Sequence, residues 1–215
     1  MTDRLETISR MVVDGKFNDI EDEVQRAIDA GTDLGRLIND ALISAMDVVG
    51  RRFADSDIYV PEMLVSATTM KRGLNIIKAR LKSGEIENRG TIVMGTVKGD
   101  LHDIGKNLVT MMMEGAGFKI IDLGVDVKTE HLVETLKKEK ADILGLSALL
   151  TTTMPEMQNV IKVLKEVGLK DQVKVIVGGA PIDHRFADKI GADGYGRDAV
   201  AAVQLARNLM SEKLS

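Results

Sequence analysis

The chemistry this chain can do begins at His102. Asp100-Leu101-His102-Asp103-Ile104-Gly105 places an imidazole, two carboxylates and a glycine within six positions. A neutral imidazole can hold a metal through one ring nitrogen while a carboxylate accepts the other N–H, which fixes the tautomer and raises the ligand's basicity. Asp100 and Asp103 both stand close enough in sequence for that role. The plainer alternative is a surface histidine beside a helix start, where Asp103 suits the helix dipole.

Thr91 to Gly95 reads as a buried strand, and Lys106 to Glu114, with Leu108, Val109, Met112 and Met113 apolar, as a helix ending at Gly115 and Gly117. His102 then sits at the carboxyl end of a strand, where open α/β sheets bind ligands. Two other segments share that edge. Ser147-Ala148-Leu149 follows the strand ending at Leu146, and Gly178-Gly179 follows Val173 to Val177.

From Gly90 onward strands and helices alternate. Lys119 to Asp122 is a short strand, Glu130 to Lys138 a helix, Ala141 to Leu146 a strand and Pro155 to Val167 a helix. Val173 to Val177 leads to a last strand near Asp193-Gly194-Tyr195 and a helix from Ala199 to Met210. This alternation predicts a flavodoxin-like (Rossmann-type) α/β domain with a five-stranded parallel sheet.

Before residue 82 the period is helical. Leu34, Leu37, Ile38, Ala41, Leu42, Ala45, Met46 and Val49 form one apolar stripe behind a possible N-cap, Asp33. A second helix starts at Pro61 and carries Met63, Leu64, Ala67, Met70, Leu74, Ile77 and Leu81. Two shorter amphipathic helices precede them, and the four read as a small bundle. The polar Lys82 to Gly90 segment divides a helical cap, residues 1–86, from the α/β domain, residues 90–215, and is the expected hinge.

Among 215 residues, 44% are hydrophobic and the net charge is −4, which suits a buried core and gives no basic stripe for nucleic acid. No cysteine is present, so disulfides and thiol catalysis are excluded. No stretch approaches the roughly 18 apolar residues of a membrane span, and a cytoplasmic location is expected. Most of the twelve methionines read as core filler, and His131 and His184 as surface or locally paired residues.

Asp-x-His-x-x-Gly, then Ser-x-Leu, then Gly-Gly, in this order and behind a helical cap, resemble the cobalamin-binding domain family. The likeness covers nearly the whole chain and extends to the cap plus cobalamin-binding module of methionine synthase. It implies that His102 replaces the cofactor's own base as the lower cobalt ligand, with Asp100 and then Thr153 relaying its proton. A carrier of methyl on cobalt needs a lower ligand that comes and goes, and proton uptake at a carboxylate-coupled histidine allows that.

The resemblance further places Asp103, Gly105, Ser147, Leu149, Thr151, Gly178 and Gly179 against the cofactor, with Ser147 and Leu149 holding the displaced base. Phe53, Val60 and Met63 of the cap would cover the upper methyl face. For the residues themselves, Thr151-Thr152-Thr153 also reads as an N-capping run.

The function implied is that of a corrinoid methyl carrier, with methylcobalamin as the loaded cofactor. A substrate-specific methyltransferase of methanol, methylamine or betaine type would load it. A methylcorrinoid:tetrahydrofolate or coenzyme M methyltransferase would unload it, and a reductive activase would rescue oxidised cobalt. The alternatives are a cobalamin-dependent sensor, an adenosylcobalamin mutase subunit and a flavodoxin-like signalling domain.

Overall fold

Apolar residues spaced three and four apart fold the first part of the chain into helices that bury one face each. In the computed structural model, which describes residues 4–78 and 89–214, α1 (Arg4–Val13) buries Leu5, Ile8 and Val12. α2 (Ile20–Asp29) buries Ile20, Val24 and Ala27. The stripe from Leu34 to Val49 is helical throughout but in three parts: α3 (Leu34–Arg36), a π-helical stretch (Leu37–Ile43) and α4 (Ser44–Ala54).

The π-helical stretch bonds residue i to i+5, so more residues share each turn. Leu37, Ile38, Ala41, Leu42 and Ile43 are all buried there. Asp33 is the expected cap, its carboxylate accepting the Arg36 N–H at 2.8 Å. α5 (Val60–Lys78) begins one residue before Pro61. Gly73 lets α5 pack closely, since a Cβ there would lie 3.3 Å from Ile20, Val24 and Leu42. The helical part is thus the expected bundle; Leu81 and residues 82–88 of the proposed linker lie outside the described residues.

The second part holds a sheet of β1 (Thr91–Thr96), β2 (Lys119–Asp122), β3 (Ile143–Ser147), β4 (Lys174–Gly178) and β5 (Gly194–Gly196). The order is β2-β1-β3-β4-β5, and every pairing is parallel. Its helices are α6 (Ile104–Gly115), α7 (Thr129–Glu139), α8 (Met154–Glu166), α9 (His184–Ile190) and α10 (Ala199–Leu214). The chain reverses its direction of travel across the sheet after β2, so β1 and β3 flank the switch point where such sheets bind ligands.

One element was not expected from sequence. His184 begins α9, where Asp183 caps the helix by accepting the Phe186 N–H at 2.8 Å and Gly191, at φ 78°, ends it. Seven residues with only Ala187 and Ile190 fully buried carry too little periodicity to announce a helix.

The two faces of the sheet differ. Val93, Val97, Leu144, Leu146, Val175 and Val177 pack with α7, α8 and α9 residues such as Leu136, Met157, Ile161 and Ala187. Burial on this scale stabilises by roughly 1.5–3 kcal/mol per large aliphatic side chain. The opposite face carries Met94, Gly145, Ser147, Ile176, Gly178, Gly194 and Gly196, by alternation along each strand. Part of it is covered by α10: a Cβ on Gly194 would meet Leu205 at 2.6 Å, and one on Gly196 would meet Ala202 at 2.8 Å.

The chain groups into two units, Met1–Glu87 with Gly115–Gly117, and Asn88–Glu114 with Phe118–Ser215. No described helix is long and apolar enough to cross a membrane.

Candidate functional site

β1 ends at Thr96, and the chain must leave the sheet there without stranding polar backbone groups. The Val97 N–H donates to Ser147 C=O at 3.0 Å, and the Asp100 N–H to Val97 C=O at 3.1 Å. Thr96 Oγ1, fully buried, donates to the His102 carbonyl at 2.9 Å. The loop carrying His102 is therefore tied to the strand it leaves and to β3.

A second loop, after β2, holds it from the other side. The Asp126 carboxylate accepts the Gly99 N–H at 2.7 Å, while the Asp126 N–H donates to Asp100 C=O at 3.0 Å. Asp126 does this at φ 53°, a left-handed conformation that Asp tolerates better than most residues. Nearby, the buried Lys106 ammonium pairs with Asp122 at 2.5 Å and donates to Asn107 Oδ1 at 2.7 Å. Asp122 in turn accepts the Gly124 N–H at 2.9 Å.

Asp100 is the centre of this arrangement and is fully buried. Oδ1 lies 2.7 Å from His102 Nδ1 and accepts the His102 N–H at 3.1 Å. Oδ2 accepts the Thr153 hydroxyl at 2.7 Å, the Leu149 N–H at 2.8 Å and the Leu150 N–H at 3.3 Å. Burial pushes the Asp100 carboxyl up, but the bonds from Thr153, Leu149 and His102 outweigh it and hold the acid well below the usual carboxylate range.

An ionised Asp100 can only accept, so Nδ1 carries the proton of a neutral His102 and the lone pair falls on Nε2. The His102 side chain is 51% exposed, and Nε2 has no hydrogen-bond partner among the described residues. The imidazole is thereby oriented and tautomer-fixed, with Nε2 left open. Thr153 Oγ1 also lies 2.9 Å from Leu150 C=O, but its single proton favours the charged acceptor.

The sequence left the second carboxylate open between Asp100 and Asp103; the geometry selects Asp100. Asp103 is exposed and accepts the Asn107 side-chain amide at 3.0 Å. Thr153 occupies the N-cap position of α8 yet makes no side-chain cap bond, its hydroxyl being turned to Asp100. Thr151 is exposed.

Ser147 ends β3, and its hydroxyl has no partner among the described residues. Leu149 and Leu150 are each 41% exposed, while Leu101 and Ile104, beside His102 in the chain, are 72% and 84% exposed. Among the described residues, nothing beyond its chain neighbours and its own helix backbone comes within 4 Å of where a Gly105 Cβ would lie. Gly179 has no such latitude: at φ 129° its Cβ would fall 1.9 Å from Ala148 C=O. In the helical unit, Val60 is exposed, Phe53 half-buried and Met63 fully buried.

Asp126, Thr96, Lys106 and Asp122 escaped the sequence reading. The one available signal was the Asp122-Leu123-Gly124-Val125-Asp126 run, which puts two carboxylates and a glycine at the carboxyl end of a strand, as in the His102 loop.

A single open imidazole, an unpaired hydroxyl, exposed aliphatic side chains and a glycine-rich sheet face fit a metal that brings its own macrocycle. Among the described residues no three His, Asp or Glu side chains cluster to hold a bare ion.

Comparison with known proteins agrees with this chemistry. Residues 90–204 match a B12 binding domain, and residues 4–78 match a second B12 binding domain model. The chain therefore belongs to the family of corrinoid proteins that join these two domains, and its cofactor is a cobalt-containing corrinoid. A corrinoid protein of Desulfitobacterium hafniense is 41% identical over 97% of this chain and 98% of its own length. Dimethylamine corrinoid protein 2 of Methanosarcina acetivorans is 40% identical over 97% of both chains. The methanol:cobalamin methyltransferase complex of Methanosarcina barkeri contains a chain that is 33% identical, with a TM-score of 0.88 over 98% of this chain and 80% of that one.

Proposed function

We propose that this protein carries a methyl group between two methyltransferases, with His102 Nε2 as the lower ligand of the corrinoid cobalt. The observation that carries this reading is Asp100, buried and shared between His102 Nδ1 and Thr153 Oγ1. When bound, the corrinoid supplies the cobalt centre that takes up and gives away methyl.

The protein's own groups govern the imidazole. Asp100 holds the Nδ1 proton and keeps the Nε2 lone pair directed outward. With a corrinoid bound, His102 would hold or release the cobalt through Nε2 while Nδ1–H stays on the Asp100 carboxylate. Thr153 and the Leu149 and Leu150 amides keep Asp100 ionised in both situations. Ser147, Leu149, Gly178 and Gly179 are assigned to the displaced nucleotide base and tail, with Asp103, Gly105 and Thr151 at the same edge. Phe53, Val60 and Met63 are assigned to the upper face.

No substrate-binding constellation accompanies the site among the described residues, so the methyl donor is chosen by a partner. A methyltransferase acting on methanol, a methylamine or a quaternary amine loads the carrier. A second one passes the methyl to tetrahydrofolate or coenzyme M, and a reductive activase restores oxidised cobalt. The relatives' names, dimethylamine and methanol among them, support this division of labour.

The test is electron paramagnetic resonance of the cobalt(II) cobalamin complex with isotopically labelled histidine nitrogen. Coupling to the label is expected in the wild type and absent in His102→Ala. Coupling only to the cofactor's own base would remove the assignment.

A further inference from the structure

Register fixes what lies one layer inside the carboxyl edge of the sheet. The outermost row is Thr96, Ser147, Gly178 and Gly196, paired in that order. Among the described residues other than its chain neighbours, only the Gly196 carbonyl, at 3.0 Å, approaches the place of a Gly178 Cβ within 4 Å. The next row inward, about 6.6 Å deeper at the rise of a parallel strand, holds Met94, Gly145 and Ile176. Met94 lies across its neighbour: a Cβ on Gly145 would fall 2.2 Å from Met94 Sδ and 3.1 Å from Cε. The thioether thus fills the position that a β3 side chain would take directly beneath Ser147, and both Met94 and Ile176 are buried.

This layer has almost no hydrogen-bonding capacity. β1, β3 and β4 are interior strands, so their backbone groups are spent in the ladder, Met94 C=O accepting the Leu123 N–H at 2.8 Å. Thr96 Oγ1 is committed to His102 C=O. Ser147 Oγ, at the rim, remains available, and a thioether is only a weak acceptor.

We infer that Met94, lying over Gly145 beside Ile176, forms an apolar floor beneath Ser147 that selects corrinoids whose lower base is a benzimidazole over those whose lower base is a purine. The inference rests on the reading that the base is displaced into this part of the site. A dimethylbenzimidazole presents carbon edges and methyl groups to the floor, and its ring nitrogens remain near the rim. An adenine base buries an amino group and ring nitrogens against atoms that cannot pair with them. An unpaired polar group of this kind reduces binding about tenfold or more.

The test measures binding of three corrinoids to the full chain by calorimetric titration: cobinamide, which lacks the nucleotide, and two complete cobamides alike except for dimethylbenzimidazole or adenine as lower base. The wild type is expected to bind the benzimidazole form about tenfold or more tightly than the adenine form. Met94→Gln, which puts an amide at the floor with little change in length, is expected to bring the two within about threefold of each other, and Met94→Leu to keep the preference. Cobinamide should bind both variants as it binds the wild type. Equal affinity of the wild type for the two cobamides, both tighter than cobinamide, would overturn the selection while leaving the corrinoid reading standing. Loss of binding of all three by the wild type would overturn both. The wild-type comparison decides the matter even where Met94→Gln does not fold.

Discussion

Asp100 couples chemistry to stability because the bonds that hold its carboxyl acidic are bonds of the folded state. Its folded value lies below its unfolded value near 3.8, so its stabilising contribution is present above that pH and is lost as pH falls toward the folded value. Urea unfolding at about pH 6 and about pH 3 is expected to show a larger acid loss of stability for the wild type than for Asp100→Asn, around the unfolded carboxylate value; equal losses would contradict the assignment. Thr153→Val removes the hydroxyl donor and is expected to cost about 1.5–3 kcal/mol near neutrality, with Thr153→Ser recovering most of it. The threonine methyl does not prevent the relay geometry, since Oγ1 reaches Asp100 at 2.7 Å.

At the scale of elements, two loops rather than one make the site. Asp126→Ala strips the Gly99 N–H of its acceptor and is expected to destabilise the protein by about 1–2 kcal/mol, measurable as a lower urea midpoint. Gly179→Ala forces a Cβ into the Ala148 carbonyl and is expected to lower the unfolding temperature more than Asp126→Ala does. The strands and most helices were legible because β1, β3 and β4 are near-continuous apolar runs and the long helices keep their stripes. The boundaries drifted by one or two residues at helix starts such as Ile104 and Thr129, and by four at the end of α10, which runs on to Leu214. α9 is too short for a stripe, and the π-helical turn hides within a pattern that an ordinary helix would also satisfy. In the site, the motifs disclosed His102, Asp100 and Ser147 at the carboxyl edge of the sheet, and Thr153 beside Asp100. They did not disclose Thr96, Asp126 or the Lys106–Asp122 pair, because these bond to a backbone group or to a single side chain of another segment and belong to no spaced motif.

At the scale of the molecule, both halves match B12 binding domains, so the cofactor belongs to the architecture of the whole chain. A ligand that binds only the folded state stabilises it by about 2.7 kcal/mol at a hundredfold excess over Kd. For a chain of this size that corresponds to a rise of roughly 5–10 °C in the unfolding temperature. Differential scanning calorimetry is expected to show such a rise with cobalamin and a smaller one with cobinamide; a transition indifferent to both would count against the proposed site.

The uneven sheet described above has a consequence for the protein's lifetime in a cell. One face is closed by leucine and valine, while the other presents glycine beside a serine hydroxyl with no partner among the described residues, so on the proposed reading part of its packing would be completed by the nucleotide tail. Protein made when corrinoid is scarce would then open more often and offer itself to proteases, whereas loaded protein would be spared. The amount of carrier would follow cofactor supply through turnover alone, with no dedicated regulator.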